Sequence, residues 1–161
     1  MDVPVVLELS PFCRRPVYRV PAGPLFLSEL MQTLNSQSSD YTWTFDEGVL
    51  FVWPTDGALI DRTVSLEALG SATLPDVLTA VSEKLRPGKR FMERPRQSMS
   101  SNPFAAPEPD EVLDVPEFDK ISTFKVVAAI EAKLHRKAHL ILFQWGKDER
   151  MAPSWRIRYL K

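Results

Sequence analysis

Tyr41-Thr42-Trp43-Thr44-Phe45-Asp46-Glu47-Gly48-Val49-Leu50-Phe51-Val52-Trp53-Pro54 is the stretch that decides the fold. Tyr41, Trp43 and Phe45 alternate with Thr42 and Thr44; Val49, Phe51 and Trp53 alternate with Leu50 and Val52. Aromatic and β-branched residues at period two, on both sides of a glycine-bearing turn, predict a β-hairpin. Pro54 ends the second strand because it has no N–H for the ladder. Both parities of that strand are apolar. Such a strand needs cover on two sides, or one side serves as an interface.

Upstream, Val5–Leu9 predicts a short strand stopped by Pro11, and Val17–Val20 a second extended run closed by Pro21-Ala22-Gly23-Pro24. Phe26, Leu27, Leu30, Met31 and Leu34 recur at helical spacing. Turn formers from Asn35 to Asp40 end that pattern. Downstream, Leu59–Leu66 predicts a weaker strand. A helix follows: Thr73 caps it, Pro75 sits in its first turn, and Asp76 completes a capping box. Leu74, Val77, Leu78, Val81 and Leu85 form its apolar stripe, and Pro87-Gly88 ends it. Phe124, Val127, Ile130 and Leu134 mark another helix, with Ser122 or Asp119 as its cap. Leu140–Trp145 predicts a strand, Gly146–Arg150 a turn, and Trp155, Ile157 and Tyr159 alternate with Arg156 and Arg158 in a last strand.

Residues 86–118 differ in composition. They hold six prolines and no apolar period, with cations from Arg86 to Arg96 preceding carboxylates from Glu108 to Glu117. This predicts a proline-rich loop or insert, with neither helix nor strand over 93–112. The basic run at 86–96 is expected to be a solvated tether. The predicted fold is α+β: about three helices packed on antiparallel hairpin sheets. Residues 17–54 and 118–160 share a strand–helix–hairpin plan, and 59–86 adds a strand and a helix. A single unit of about 43 residues is near the size at which a lone core fails. The 161 residues are therefore expected to form one domain, 1–161, with one shared core.

Composition excludes several classes. Twenty Lys+Arg against 21 Asp+Glu give a net charge of -1, so no bulk charge drives the chain to nucleic acid, and no nucleic-acid partner is expected. The single Cys13 excludes an internal disulfide framework and a multi-cysteine zinc site. No apolar run approaches the roughly 20 residues of a membrane-spanning helix. No basic segment precedes the first apolar stretch, so an intact signal peptide is not expected at Met1. Localisation stays open: periplasm or cell envelope if such a segment was removed, cytoplasm otherwise.

Val20-Pro21-Ala22-Gly23-Pro24-Leu25 before a helix, with Tyr41-Thr42-Trp43-Thr44 and Gly48-Val49-Leu50 after it, resembles the short N-terminal domain of secretins and TonB-dependent receptors and related bacterial envelope proteins. The resemblance covers about residues 17–86. It implies a compact module of the bacterial cell envelope that contacts other proteins and carries no catalytic residues.

Candidate chemistry is sparse. His135 and His139, at i and i+4, could share a metal, but Arg136 and Lys137 lie between them and no third ligand is apparent. Cys13 beside Arg14 and Arg15 has a favoured thiolate but no catalytic signature around it. Asp46 and Glu47 sit at a hairpin tip, unlike a catalytic pair. No metal or other cofactor is expected. Trp43, Trp53, Trp145, Trp155 and Tyr159 all fall on predicted strands, as core or as an aromatic platform. The expected function is a non-catalytic protein-interaction or scaffold module binding through sheet edges or an aromatic face, with a protein partner. Self-association is compatible with the same edges. The alternatives are a small enzyme with a cleft between the halves using Cys13 or His135/His139, and a glycan-binding module on exposed tryptophans.

Overall fold

The hairpin forms as its alternation predicts. Tyr41–Asp46 (β2) pairs antiparallel with Val49–Pro54 (β3). Glu47 and Gly48 make the two-residue turn, with φ of 47° and 82°. Positive φ at both positions is the twist that lets a tight turn follow the strands, and glycine adopts it without steric cost. The computed structural model describes residues 3–10, 19, 23, 26–37, 39–88, 111–144 and 152–160.

Val5–Leu9 (β1) lies between β3 and Ala138–Phe143 (β8), parallel to both, and Ser154–Tyr159 (β9) pairs antiparallel with β8. The five-stranded order is β2-β3-β1-β8-β9. The fold is α+β, with three helices among the described residues. The central sheet holds the two expected antiparallel hairpins, and β1 joins them by parallel pairing on both sides. β1 enters between two hairpins that are distant in sequence, which no local pattern specifies. The two hairpins also face opposite ways: the inner strand is the second of one (β3) and the first of the other (β8). The predicted repeat of plan between 17–54 and 118–160 is therefore not a repeat of packing.

A different internal repeat is present. Thr63–Leu66 (β4) pairs with Phe118–Ser122 (β7), and Gly70–Thr73 (β5) with Val112–Val115 (β6). The register that joins Thr63 to Ser122 also joins Thr73 to Val112, so the two ladders are ends of one antiparallel ribbon. It is interrupted where Leu66 slips to face Phe118, beside Pro116, which cannot donate. Each strand of the ribbon runs straight into a helix, Leu74–Leu85 (α2) and Thr123–Lys133 (α3). The buried Leu74, Val77, Leu78, Val81, Ser82 and Leu85 have buried counterparts 49 positions on, at Thr123, Val126, Val127, Ile130, Glu131 and Leu134; α3 adds Ala128. Two strand–helix units are thus related by a pseudo-twofold across the ribbon.

Local chemistry explains the helix ends. Thr73 and Asp76 form the predicted capping box. Ser122 occupies the cap position of α3 without a side-chain cap bond; the Asp119 carboxylate instead accepts from Ser65 Oγ at 2.9 Å. The amides of Thr123 and Phe124 donate to the carbonyls of Arg62 and Ile60. Leu27–Gln37 (α1) begins where Glu29 accepts the Phe26 amide at 3.0 Å.

Several expectations need correction. Residues 59–62 form a turn, and β4 begins at Thr63. β5 and β6 were not expected; β6 starts at Val112, inside the stretch read as free of strand, and β7 starts at Phe118. β8 runs from Ala138 to Phe143 rather than 140–145. Arg19 is irregular, held by Gln37 on both its amide and carbonyl. The rest of the expected 17–20 strand, the 89–110 part of the proline-rich stretch and the 146–150 turn lie outside the described residues.

One cluster of buried side chains draws on β1, β3, β4, β6 and β8 together with α2 and α3. It fills the space between one face of the sheet and the two helices. The register sets that face: Val6, Phe51 and Leu140 stand in one row across the three parallel strands. Phe124 of α3 packs against it, stacked on Trp53 at 5.8 Å and tilted on Phe51 at 5.7 Å. Tyr41 and Leu50, on the second face, and Met31 of α1 are buried outside this cluster. Contact of α1 with β2 places that helix at the β2–β3 end of the second face.

Candidate functional site

The three parallel strands end together at Leu9, Pro54 and Phe143. The chain leaves β1 through α1 to the β2–β3 hairpin on one side, whereas β8, its neighbour on the other side, is entered from α3. Glu8 lies where the three strands end, completely buried on the helix side of the sheet. The loop after β3 folds over it. Glu8 Oε1 accepts the Leu59 amide at 2.8 Å, and Oε2 accepts the Leu59 and Ile60 amides at 3.0 and 2.8 Å. Gln144 Nε2 donates both to Glu8 Oε1 and, at 3.1 Å, to the Gly57 carbonyl. Arg86 Nη2 reaches Gln144 Oε1 at 3.4 Å. Burial pushes the Glu8 carboxyl above the usual carboxylate range; the hydrogen bonds from Ile60, Leu59 and Gln144 and the nearby Arg62 charge oppose that rise. The same loop feeds its carbonyls to the start of α3. Glu8 of the central strand therefore pins the loop that runs from β3 to β4.

A second buried carboxylate, Glu131, stands near the opposite ends of the strands. Its Oε1 accepts the Ala138 amide at 2.8 Å where β8 begins. Burial raises its pKa, with Lys137 opposing. In the pseudo-twofold its counterpart is Ser82, whose Oγ accepts from Trp155 Nε1 at 2.9 Å. Both positions tie a helix to the β8–β9 hairpin.

The predicted aromatic set divides between the two faces. Trp53, Trp155 and Tyr159 are on the helix side by register; Trp53 is 9% exposed and belongs to the core, while Trp155 and Tyr159 are half-buried. Trp43 is half-buried on the second face, in register with Val52. Phe45, two residues on, is 47% exposed. Trp145 and Cys13 lie outside the described residues.

The histidines do not form a pair. His135 follows α3 and binds Glu111, Nδ1 to Oε1 at 2.6 Å; Glu111 also accepts the His135 amide, and these bonds hold its carboxyl below the usual range. His139 is on the second face of β8, where its Nδ1 accepts the Val5 amide at 3.1 Å. That hydrogen bond occupies the lone pair a metal would need. Among the described residues no three His, Cys, Asp or Glu side chains are grouped to hold a metal ion, and no helix is long and apolar enough to cross a membrane.

The sheet is open at both sides among the described residues: β2 and β9 each have one strand neighbour. Ladder phase tells which backbone groups face out, because bonding alternates along an antiparallel pair. Thr55 N–H bonds to Asp40 O, so the amides and carbonyls of Trp43 and Phe45 point away from β3. Leu160 N–H bonds to Lys137 O, so those of Trp155 and Ile157 point away from β8. Neither edge carries a proline between its first and last residue. β2 has no charge before Asp46, whereas β9 carries Arg156 and Arg158. Sequence reasoning missed Glu8 and Gln144; the one available signal was a glutamate inside the apolar run Val5-Val6-Leu7-Glu8-Leu9.

No protein-family model, curated protein or solved structure matches this chain.

Proposed function

We propose that this protein is a non-catalytic interaction module that takes an extended segment of a partner protein onto an edge of its five-stranded sheet. The observation that carries this is the outward backbone of Trp43 and Phe45 on β2 and of Trp155 and Ile157 on β9, each on a strand with one strand neighbour among the described residues. Unpaired strand edges are templates for strand addition, in which main-chain bonds supply affinity and alternate side chains supply selectivity. The half-buried second face, with Trp43 and the exposed Phe45 near one edge, offers such a strand apolar contact. The helix–hairpin order of α1, β2 and β3 is also the order in the envelope modules that residues 17–86 resemble, which supports a place among envelope interaction domains. The test is amide hydrogen exchange with a panel of extended peptides. Protection of the Trp43 and Phe45 amides, or of Trp155 and Ile157, is the expected result. A panel that protects no edge amide overturns the proposal.

A further inference from the structure

We infer that the β9 edge is built for a partner strand in which acidic and apolar residues alternate; this rests on the sheet-edge reading above. Arg156 and Arg158 are exposed and project from the second face, while Trp155 and Ile157, half-buried, project from the helix side. A strand laid along β9 meets the same alternation, because residues opposite one another in a ladder share a face. Its side chains on the second face stand beside two guanidiniums, and those on the other beside an indole and an isoleucine.

Charge decides the partner. Among the described residues, Arg156 and Arg158 have no carboxylate within ion-pair distance; the ion pairs are Lys125 with Asp46 and His135 with Glu111. Arg156 also lies over the Phe143 ring, at 5.9 Å from its centroid. No residue registered on the second face of the five strands is acidic. A carboxylate on the incoming strand therefore meets no carboxylate among the described strand residues of that face. Antiparallel self-pairing of β9 centred on Ile157 is disfavoured, because it sets Arg156 opposite Arg158 and like charges directly opposite destabilise a ladder. Edge cations that block self-pairing are a known protective device. Here the same cations select an acidic strand.

The test uses the full chain and a fluorescein-labelled peptide of about seven residues alternating glutamate and valine. A lysine–valine peptide of equal length and an alternating threonine–valine peptide are the controls. Expected are saturable anisotropy with the glutamate peptide, protection of the Trp155 and Ile157 amides, and at least about fivefold weaker binding to R156E/R158E, since each cross-strand charge pair changes sign. The charge-reversed variant is expected to take the lysine peptide instead. Circular dichroism of the variant checks its fold; the single variant R158E serves if the double one unfolds. If the threonine peptide binds at β2 while the glutamate peptide leaves β9 amides unprotected, the acidic-strand inference is overturned and strand addition survives. If no peptide protects either edge, both fall. Preference for single-stranded oligonucleotide over the glutamate peptide at the same arginines also overturns it.

Discussion

Replacing Glu8 by leucine is the sharpest test of the pinned loop. Leucine fills much of the same space but accepts no hydrogen bond. Three buried donors lose their acceptor: the amides of Leu59 and Ile60, and Gln144 Nε2, which keeps the Gly57 carbonyl. A buried donor left unpaired costs about 1–3 kcal/mol. Against that stands the desolvation of the carboxyl, which its raised pKa reports and which the substitution removes. The balance is a loss of about 2–5 kcal/mol in Glu8→Leu, read in urea melts followed by tryptophan fluorescence. A loss under about 1 kcal/mol would refute the pinning. A second signature is pH. Because burial raises the folded-state pKa, the folded protein holds a proton that the unfolded chain releases. That contribution is fully present below the ordinary glutamate value of 4.5 and is lost as pH rises through the folded pKa. Glu131 acts in the same direction. Wild-type stability therefore falls as pH rises above about 4.5 through this window, and Glu8→Leu falls less steeply. Parallel pH curves for the two proteins would refute the buried-carboxyl assignment.

Glu47 sits at φ 47°, where a side chain other than that of asparagine or glycine is strained, so Glu47→Asn is expected to stabilise by roughly 0.5–1 kcal/mol in the same melts. Leu78→Ala empties a site in the middle of the α2 stripe and is expected to cost about 2–5 kcal/mol; a loss under about 1 kcal/mol would show that this face is not core. Because 63–73 pairs with 112–122, a 1–90 fragment keeps only half of the ribbon and is expected not to fold, and the full chain to unfold in one calorimetric transition; two resolved transitions would contradict the shared core. At the acid end, the lowered pKa of Glu111 predicts a separate loss of stability as pH falls below about 4.5, absent in Glu111→Gln and measurable by chemical melts at pH 3 to 5.

The amino-acid sequence by itself determined the elements whose causes are local. The β2–β3 hairpin follows from alternation across a Glu47-Gly48 turn, and α2 from Thr73, Asp76 and a stripe at helical spacing. Those signals act over a few residues, where strand period and capping geometry suffice. Only the tertiary structure decided the parallel entry of β1 between two hairpins, and the ribbon that joins 63–73 to 112–122. Pairing across that distance depends on which faces the rest of the chain leaves uncovered. The same reason explains the sites. Trp43 and Trp53 look alike in the sequence, yet opposite parity and cover from Phe124 send one to the half-buried face and the other into the core. Glu8 alternates as a surface residue would. It is buried because its strand is central, and it remains ionisable there because the 57–60 loop brings backbone amides to meet it.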